Sequence, residues 1–135
     1  MSYTLRNHTA DVAVEATGST LSAVFSAVAD GLTAAMCDDV PDRGERFQFT
    51  VRAESRDALL FDYLDQLIYE RDVRNVLPAD NDATVRQDDG WVVTASTRGV
   101  PLDAVDAREV KAVTYSEMDL SRVDDGWHAY VVFDV

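Results

Sequence analysis

Two Asp-Asp-Gly turns constrain the fold of this chain more than any other feature. Asp88-Asp89-Gly90 leads into Trp91, and Asp124-Asp125-Gly126 leads into Trp127. Asp and Gly accept the backbone conformations of tight turns, and the flanking segments, rich in Val, Thr and aromatic residues, read as strands. A tight turn returns the chain beside itself, so the paired strands are antiparallel. The expected pairs are 83–86 with 91–97, and 109–120 with 127–135. Further strands are expected around Val12, Val14 and Ala16, and over Phe47, Phe49, Val51 and Ala53, where apolar and polar residues alternate.

Two segments have helical rather than strand period. From Thr20 to Met36, the residues Leu21, Val24, Phe25, Val28 and Leu32 fall on one face, with Ser19 or Thr20 available as cap. Gly31 inside this helix costs it roughly 1 kcal/mol relative to alanine. From Arg56 to Asp72, a stripe of Leu59, Leu60, Tyr63, Leu64, Leu67 and Ile68 follows Ser55 as cap. Segments 74–82 and 98–107 read as mobile loops, and 37–45 as a solvated connection. The expectation is one domain over 1–135, an α+β two-layer sandwich with a mostly antiparallel sheet and both helices on one face.

The charge narrows the partners. The chain carries 25 acidic residues against 12 basic ones, a formal net charge of −13. Such a balance offers no basic footprint for phosphates, so direct nucleic-acid binding is not expected. Self-repulsion among the carboxylates destabilises the compact state in dilute buffer. It is screened at molar salt, where the Debye length is about 3 Å, so the chain reads as adapted to concentrated salt. No apolar run reaches the roughly 20 residues of a membrane span. The first seven residues hold no apolar signal core, and a cytoplasmic protein is expected. Cys37 is the single cysteine, which excludes an internal disulfide and reads as a small buried hydrophobe.

Among the basic residues only Lys111 is lysine; the rest are arginine. An ammonium is a compact, strongly hydrated point charge that the planar guanidinium does not reproduce. Lys111 is therefore either a residual surface lysine or a residue whose ammonium is needed. The chain lacks a glycine-rich phosphate loop, CxxC, HExxH and a nucleophile-elbow serine, and its two histidines, His8 and His128, cannot alone form a multi-histidine centre. What remains is carboxylate chemistry: Asp11 near the start, and Asp134 followed by the terminal carboxylate of Val135. Such hard oxygen donors could hold Mg²⁺, Ca²⁺ or Mn²⁺, or the two aspartates are simply solvated acids.

Five segments together resemble the archease family: His8-Thr9-Ala10-Asp11-Val12, Gly18-Ser19-Thr20-Leu21, Leu59-Leu60-Phe61-Asp62-Tyr63-Leu64, Glu109-Val110-Lys111-Ala112-Val113-Thr114-Tyr115 and Val132-Phe133-Asp134-Val135. The resemblance implies a non-enzymatic activator of the GTP-dependent tRNA-splicing RNA ligase. That ligase joins a 2′,3′-cyclic phosphate or 3′-phosphate end to a 5′-hydroxyl end. The activator promotes guanylylation of the ligase and its multiple turnover. The resemblance further implies a divalent metal at Asp11, Asp134 and Val135, and a functional role for Lys111. His8 is carried as a weaker candidate beside a local structural role. The family often has histidine after the EVKAVTY-like segment, where this chain has Ser116. Two other classes remain open. One is a chaperone-like binding module acting through an apolar surface, and the other is a stand-alone metal-dependent hydrolase, for which no nucleophile or base beyond the same carboxylates is present.

Overall fold

Helix α1 (Leu21–Met36) starts where its cap residue places it: the Thr20 hydroxyl accepts the Ala23 N–H at 3.0 Å. Helix α2 (Arg56–Arg74) is capped by the Ser55 hydroxyl, which accepts the Ala58 N–H at 3.1 Å. It ends at Asn75, whose φ of 57° is the left-handed conformation that asparagine tolerates. Arg71 and Arg74 suit the negative end of its dipole. The computed structural model describes residues 2–7 and 11–135, with the side chains of Arg6 and Asn7 outside the description.

The strands are β1 (Ser2–Asn7), β2 (Asp11–Gly18), β3 (Glu45–Ala53), β4 (Val76–Gln87), β5 (Trp91–Pro101), β6 (Ala112–Val123) and β7 (Gly126–Asp134). The fold is α+β, and every strand pair among the described residues is antiparallel, with β4–β5 and β6–β7 joined by the two Asp-Asp-Gly turns. Among the described residues the strands divide into two sheets, ordered β1-β2-β7-β6 and β3-β5-β4. Helix α1 packs on β1, β2 and β7 and also runs along β4, while α2 packs on β3, β4 and β5 and against β6. One apolar core joins both sheets to both helices through Val14, Phe25, Tyr63, Leu64, Leu77 and Phe133.

Gly31 serves this packing. A Cβ there would lie 2.4 Å from Val14 Cγ1, so only glycine lets α1 approach β2 this closely.

The contact between α1 and β4 is polar. Ser22 Oγ accepts the Val85 N–H at 2.8 Å, Ser26 Oγ accepts the Ala83 N–H at 2.9 Å, and Asp30 Oδ1 accepts the Asn81 N–H at 3.0 Å. One turn further, the Thr33 hydroxyl donates to the Pro78 carbonyl at 2.7 Å. Four helical residues rise about 6 Å and two strand residues about 6.6 Å, so side chains on one helix face can meet alternate backbone groups of an edge strand. The edge of β4 is thereby satisfied by a helix where another strand would otherwise pair.

The two Asp-Asp-Gly hairpins converge. Arg56, the first residue of α2, stacks between Trp91 of one sheet, at 5.6 Å, and Trp127 of the other, at 5.0 Å. Arg122 covers Trp127 as well, at 5.2 Å.

Several boundaries differ from the sequence reading. Most of segment 74–82 belongs to β4, where Asp80 at φ 48° marks an irregular register, and β5 extends to Pro101 before a 3-10 turn at Leu102–Ala104. The strand expected from 109 begins only at Ala112, so Lys111 lies on the connection leading into it. Strand β1 escaped the sequence reading altogether. No helix among the described residues is long and apolar enough to cross a membrane.

Candidate functional site

In the β2–β7 register Asp11 is directly opposite Asp134, and on its other side Asp134 is opposite Ala112 of β6. Directly paired residues of antiparallel strands project to the same face with Cβ atoms about 4.5–5.5 Å apart. The two carboxylates expected from the chain ends therefore share one face at one end of the sheet. Val135 follows at once and is 37% exposed. The opposite face, with Val12, Val14, Val131 and Phe133, is buried in the core.

Lys111 arrives at the same end. Its backbone N–H donates to the Asp134 carbonyl at 2.8 Å, so the lysine and this aspartate are joined through the main chain. Among the described residues, neither the ammonium nor either carboxylate is part of an ion pair. Two like charges placed opposite each other destabilise a sheet, and a cation between them removes that penalty. Their oxygens, with a main-chain oxygen of Val135, are the hard donors that Mg²⁺, Ca²⁺ and Mn²⁺ take, so the residues fit such an ion. No cluster of three or more His, Cys, Asp or Glu side chains suited to a metal occurs among the described residues. His8 lies outside the described residues.

The same face carries polar groups that sequence reasoning missed. Thr114, opposite Val132 and two residues from Ala112, has a buried hydroxyl without a hydrogen-bond partner among the described residues. Farther along, His128 bridges three strands: Nε2 lies 2.9 Å from Glu15 of β2 and Nδ1 3.2 Å from Asp119 of β6. Ser121 also hydrogen-bonds Asp119, at 3.0 Å. The hydrogen bond to Glu15 is the largest influence raising the His128 pKa above its ordinary value, with Asp119 adding to it against partial burial. No local pattern announces this cluster, because the register alone brings residues 15, 119 and 128 together.

Ser116, the position where the family often has histidine, is exposed in the irregular part of β6, beside Glu117 at φ 62°. Just before it, Tyr115 stacks on Phe61 of α2 with ring centroids 4.0 Å apart and planes at 2°. Two of the segments that carry the resemblance thus touch each other in the fold.

Comparison with known proteins agrees. The archease protein family matches residues 3–135. Protein archease of Pyrococcus furiosus is 30% identical over 134 residues, covering 95% of this chain and 94% of that one. Protein archease of Thermococcus gammatolerans is 35% identical over 135 residues with the same coverage. The solution structure of protein 1598 from Methanobacterium thermoautotrophicum superposes with a TM-score of 0.86 at 28% identity, covering 98% of each chain. A crystal structure from Thermotoga maritima, described as an archease and possible chaperone, shares the fold at a TM-score of 0.66 and 22% identity, over 96% of this chain and 94% of that one. The chain belongs to the archease family.

Proposed function

We propose that this protein is an activating partner of the GTP-dependent tRNA-splicing RNA ligase, promoting guanylylation of the ligase and its repeated turnover. The observation that carries the reading is the Asp11–Asp134 pair with the Lys111 amide bonded to the Asp134 carbonyl. This assembles, on one sheet end, the residues that the family resemblance singles out.

Asp11, Asp134 and Val135 would hold a divalent ion. When bound, such an ion polarises phosphate oxygens and offsets charge that develops in nucleotidyl transfer. Lys111 supplies a mobile positive charge that can pair with a phosphate oxygen of the nucleotide. The sheet holds the carboxylates at fixed register, so neither aspartate needs to reorganise when the ligase docks. The acidic surface leaves direct grip on RNA to the ligase.

The test is guanylylation of the purified ligase at high salt, with and without this protein, across Mg²⁺, Ca²⁺ and Mn²⁺. Stimulation by the wild type and its loss in Asp11→Ala and Asp134→Ala, both folded, is the expected result. Normal stimulation by both variants would exclude a shared carboxylate site.

One observation favours a second reading. Tyr69, Val73 and Tyr115 are each 57% exposed, an apolar display that a chaperone-like binding module would use. That reading predicts stimulation of clients that is independent of metal and tolerant of Asp11 and Lys111 substitutions.

A further inference from the structure

We infer that Arg71 is a positioning residue for Lys111, holding the segment that brings this lysine to Asp134; the inference rests on the functional reading of Lys111 given above. Arg71 lies in the last turn of α2, where a charged residue ordinarily points to water. Its side chain is instead only 8% exposed. Burying a guanidinium is unfavourable unless its donors are satisfied, so the acceptors it finds reveal what it is held against.

Nη1 donates to the Val110 carbonyl at 2.6 Å and lies 3.6 Å from Met36 Sδ, while Nε donates to Asp72 Oδ1 at 3.0 Å. Asp72 is 63% exposed, so that ion pair adds little and does not explain the burial. The interior end of the guanidinium is spent on one backbone carbonyl, that of the residue immediately before Lys111.

The connection from the 3-10 turn to β6 has no strand ladder of its own. It is tied down at discrete points. The Arg108 N–H donates to the Met36 carbonyl at 2.6 Å and the Arg108 side chain to the Ala35 carbonyl at 3.0 Å, which fastens the segment to the end of α1. Arg71 then takes the Val110 carbonyl from α2, and the fully buried Val110 side chain wedges into the core. Only after these does the Lys111 N–H reach the Asp134 carbonyl. Beyond it, the stack of Tyr115 on Phe61 returns the chain to α2. Helix α2 thus grips the chain on both sides of Lys111. The Lys111 main chain is placed by the backbone around it, and the ammonium has no ion-pair partner among the described residues.

Lysine at position 71 would keep the charge but lose the fork that reaches Val110, Met36 and Asp72 together. Methionine would fill similar space without any donor to the carbonyl. The experiment uses Arg71→Lys and Arg71→Met in the full chain, with two readouts. The first is amide hydrogen exchange, which needs no ligase. Exchange at Lys111 should accelerate about tenfold or more in both variants, the size of one lost charge-assisted hydrogen bond, while core amides such as Val131 and Leu64 keep their rates. The second is ligase guanylylation as a function of this protein's concentration. The maximal rate should fall about tenfold with the half-saturating concentration unchanged. Unaltered Lys111 exchange, or acceleration of Val131 and Leu64 to the same degree, would overturn the inference, because a merely stabilising arginine loosens the whole fold. Accelerated exchange together with full stimulation by Lys111→Ala would leave the positioning intact and overturn the functional reading instead.

Discussion

Asp11 and Asp134 face each other across the β2–β7 ladder, so the second and last strands, far apart in sequence, place two carboxylates side by side at one sheet end. Strand β7 is interior to its sheet, and on its far side the Lys111 N–H closes onto the Asp134 carbonyl. Opposed like charges weaken a sheet, which gives the pair a measurable energetic signature apart from any activity.

Replacing either aspartate by asparagine removes that repulsion. In metal-free buffer Asp11→Asn should raise stability by roughly 0.5 kcal/mol. The wild type should melt at higher temperature when Mg²⁺, Ca²⁺ or Mn²⁺ is added, since an ion that binds only the folded state stabilises it. The variant should lose that shift. Thermal melts with and without each ion check both, and an equal ion-induced shift in Asp11→Asn would contradict the pairing.

His128 makes stability depend on pH. Its carboxylate partners Glu15 and Asp119 raise its pKa above the ordinary histidine value, so the folded state binds the proton more tightly than the unfolded chain. This contribution is fully present below about pH 6.5 and is lost as pH rises through the folded-state pKa. Denaturant unfolding between pH 5 and 9, ranges of roughly the histidine titration, should show stability falling on the alkaline side. His128→Gln should flatten the curve.

The α1–β4 contact predicts a graded effect of serine removal. Ser26 is buried, and Ser26→Ala leaves the Ala83 N–H without its acceptor, at about 1–3 kcal/mol. Ser22 is partly exposed, so water can replace its hydroxyl on the Val85 N–H and Ser22→Ala should destabilise less. Urea unfolding of the two variants gives the order directly.

Tyr63 behaves in the opposite sense. It is fully buried between Phe25 and Phe49, and its hydroxyl has no hydrogen-bond partner among the described residues. Burial pushes its pKa well above the usual range, so the hydroxyl stays neutral. Tyr63→Phe removes an unpaired polar atom while keeping the ring, and should leave stability unchanged or raise it by up to about 1 kcal/mol. A loss of stability in urea unfolding would contradict the orphaned hydroxyl.

What was legible in the sequence was local. The caps Thr20 and Ser55 and both Asp-Asp-Gly hairpins act within a few residues, and each forms as read. Strand β4 was misread at its start because Pro78, Asp80, Asn81 and Asp82 look like turn chemistry. Apart from Asp80, at φ 48°, this stretch is held as a strand along α1 by Ser26, Asp30 and Thr33, far away in sequence. Arg71 reads as one more solvated charge on an amphipathic helix, since its acceptor at Val110 is set by tertiary packing. The Asp11–Asp134 pair depends on the register of two strands from opposite ends of the chain. Composition and spacing named both residues as candidates, and only the family resemblance put them in one site.

The central claim is that the Asp11, Asp134 and Lys111 end of the sheet activates the ligase, and the Lys111→Arg variant tests it most directly. Arginine serves at every other basic position of this chain, so the change keeps the charge and removes only the compact ammonium. Measured as the rate of ligase guanylylation at saturating concentration of the folded variant, stimulation is predicted to fall to near that of the ligase alone. Full stimulation by Lys111→Arg would contradict the account.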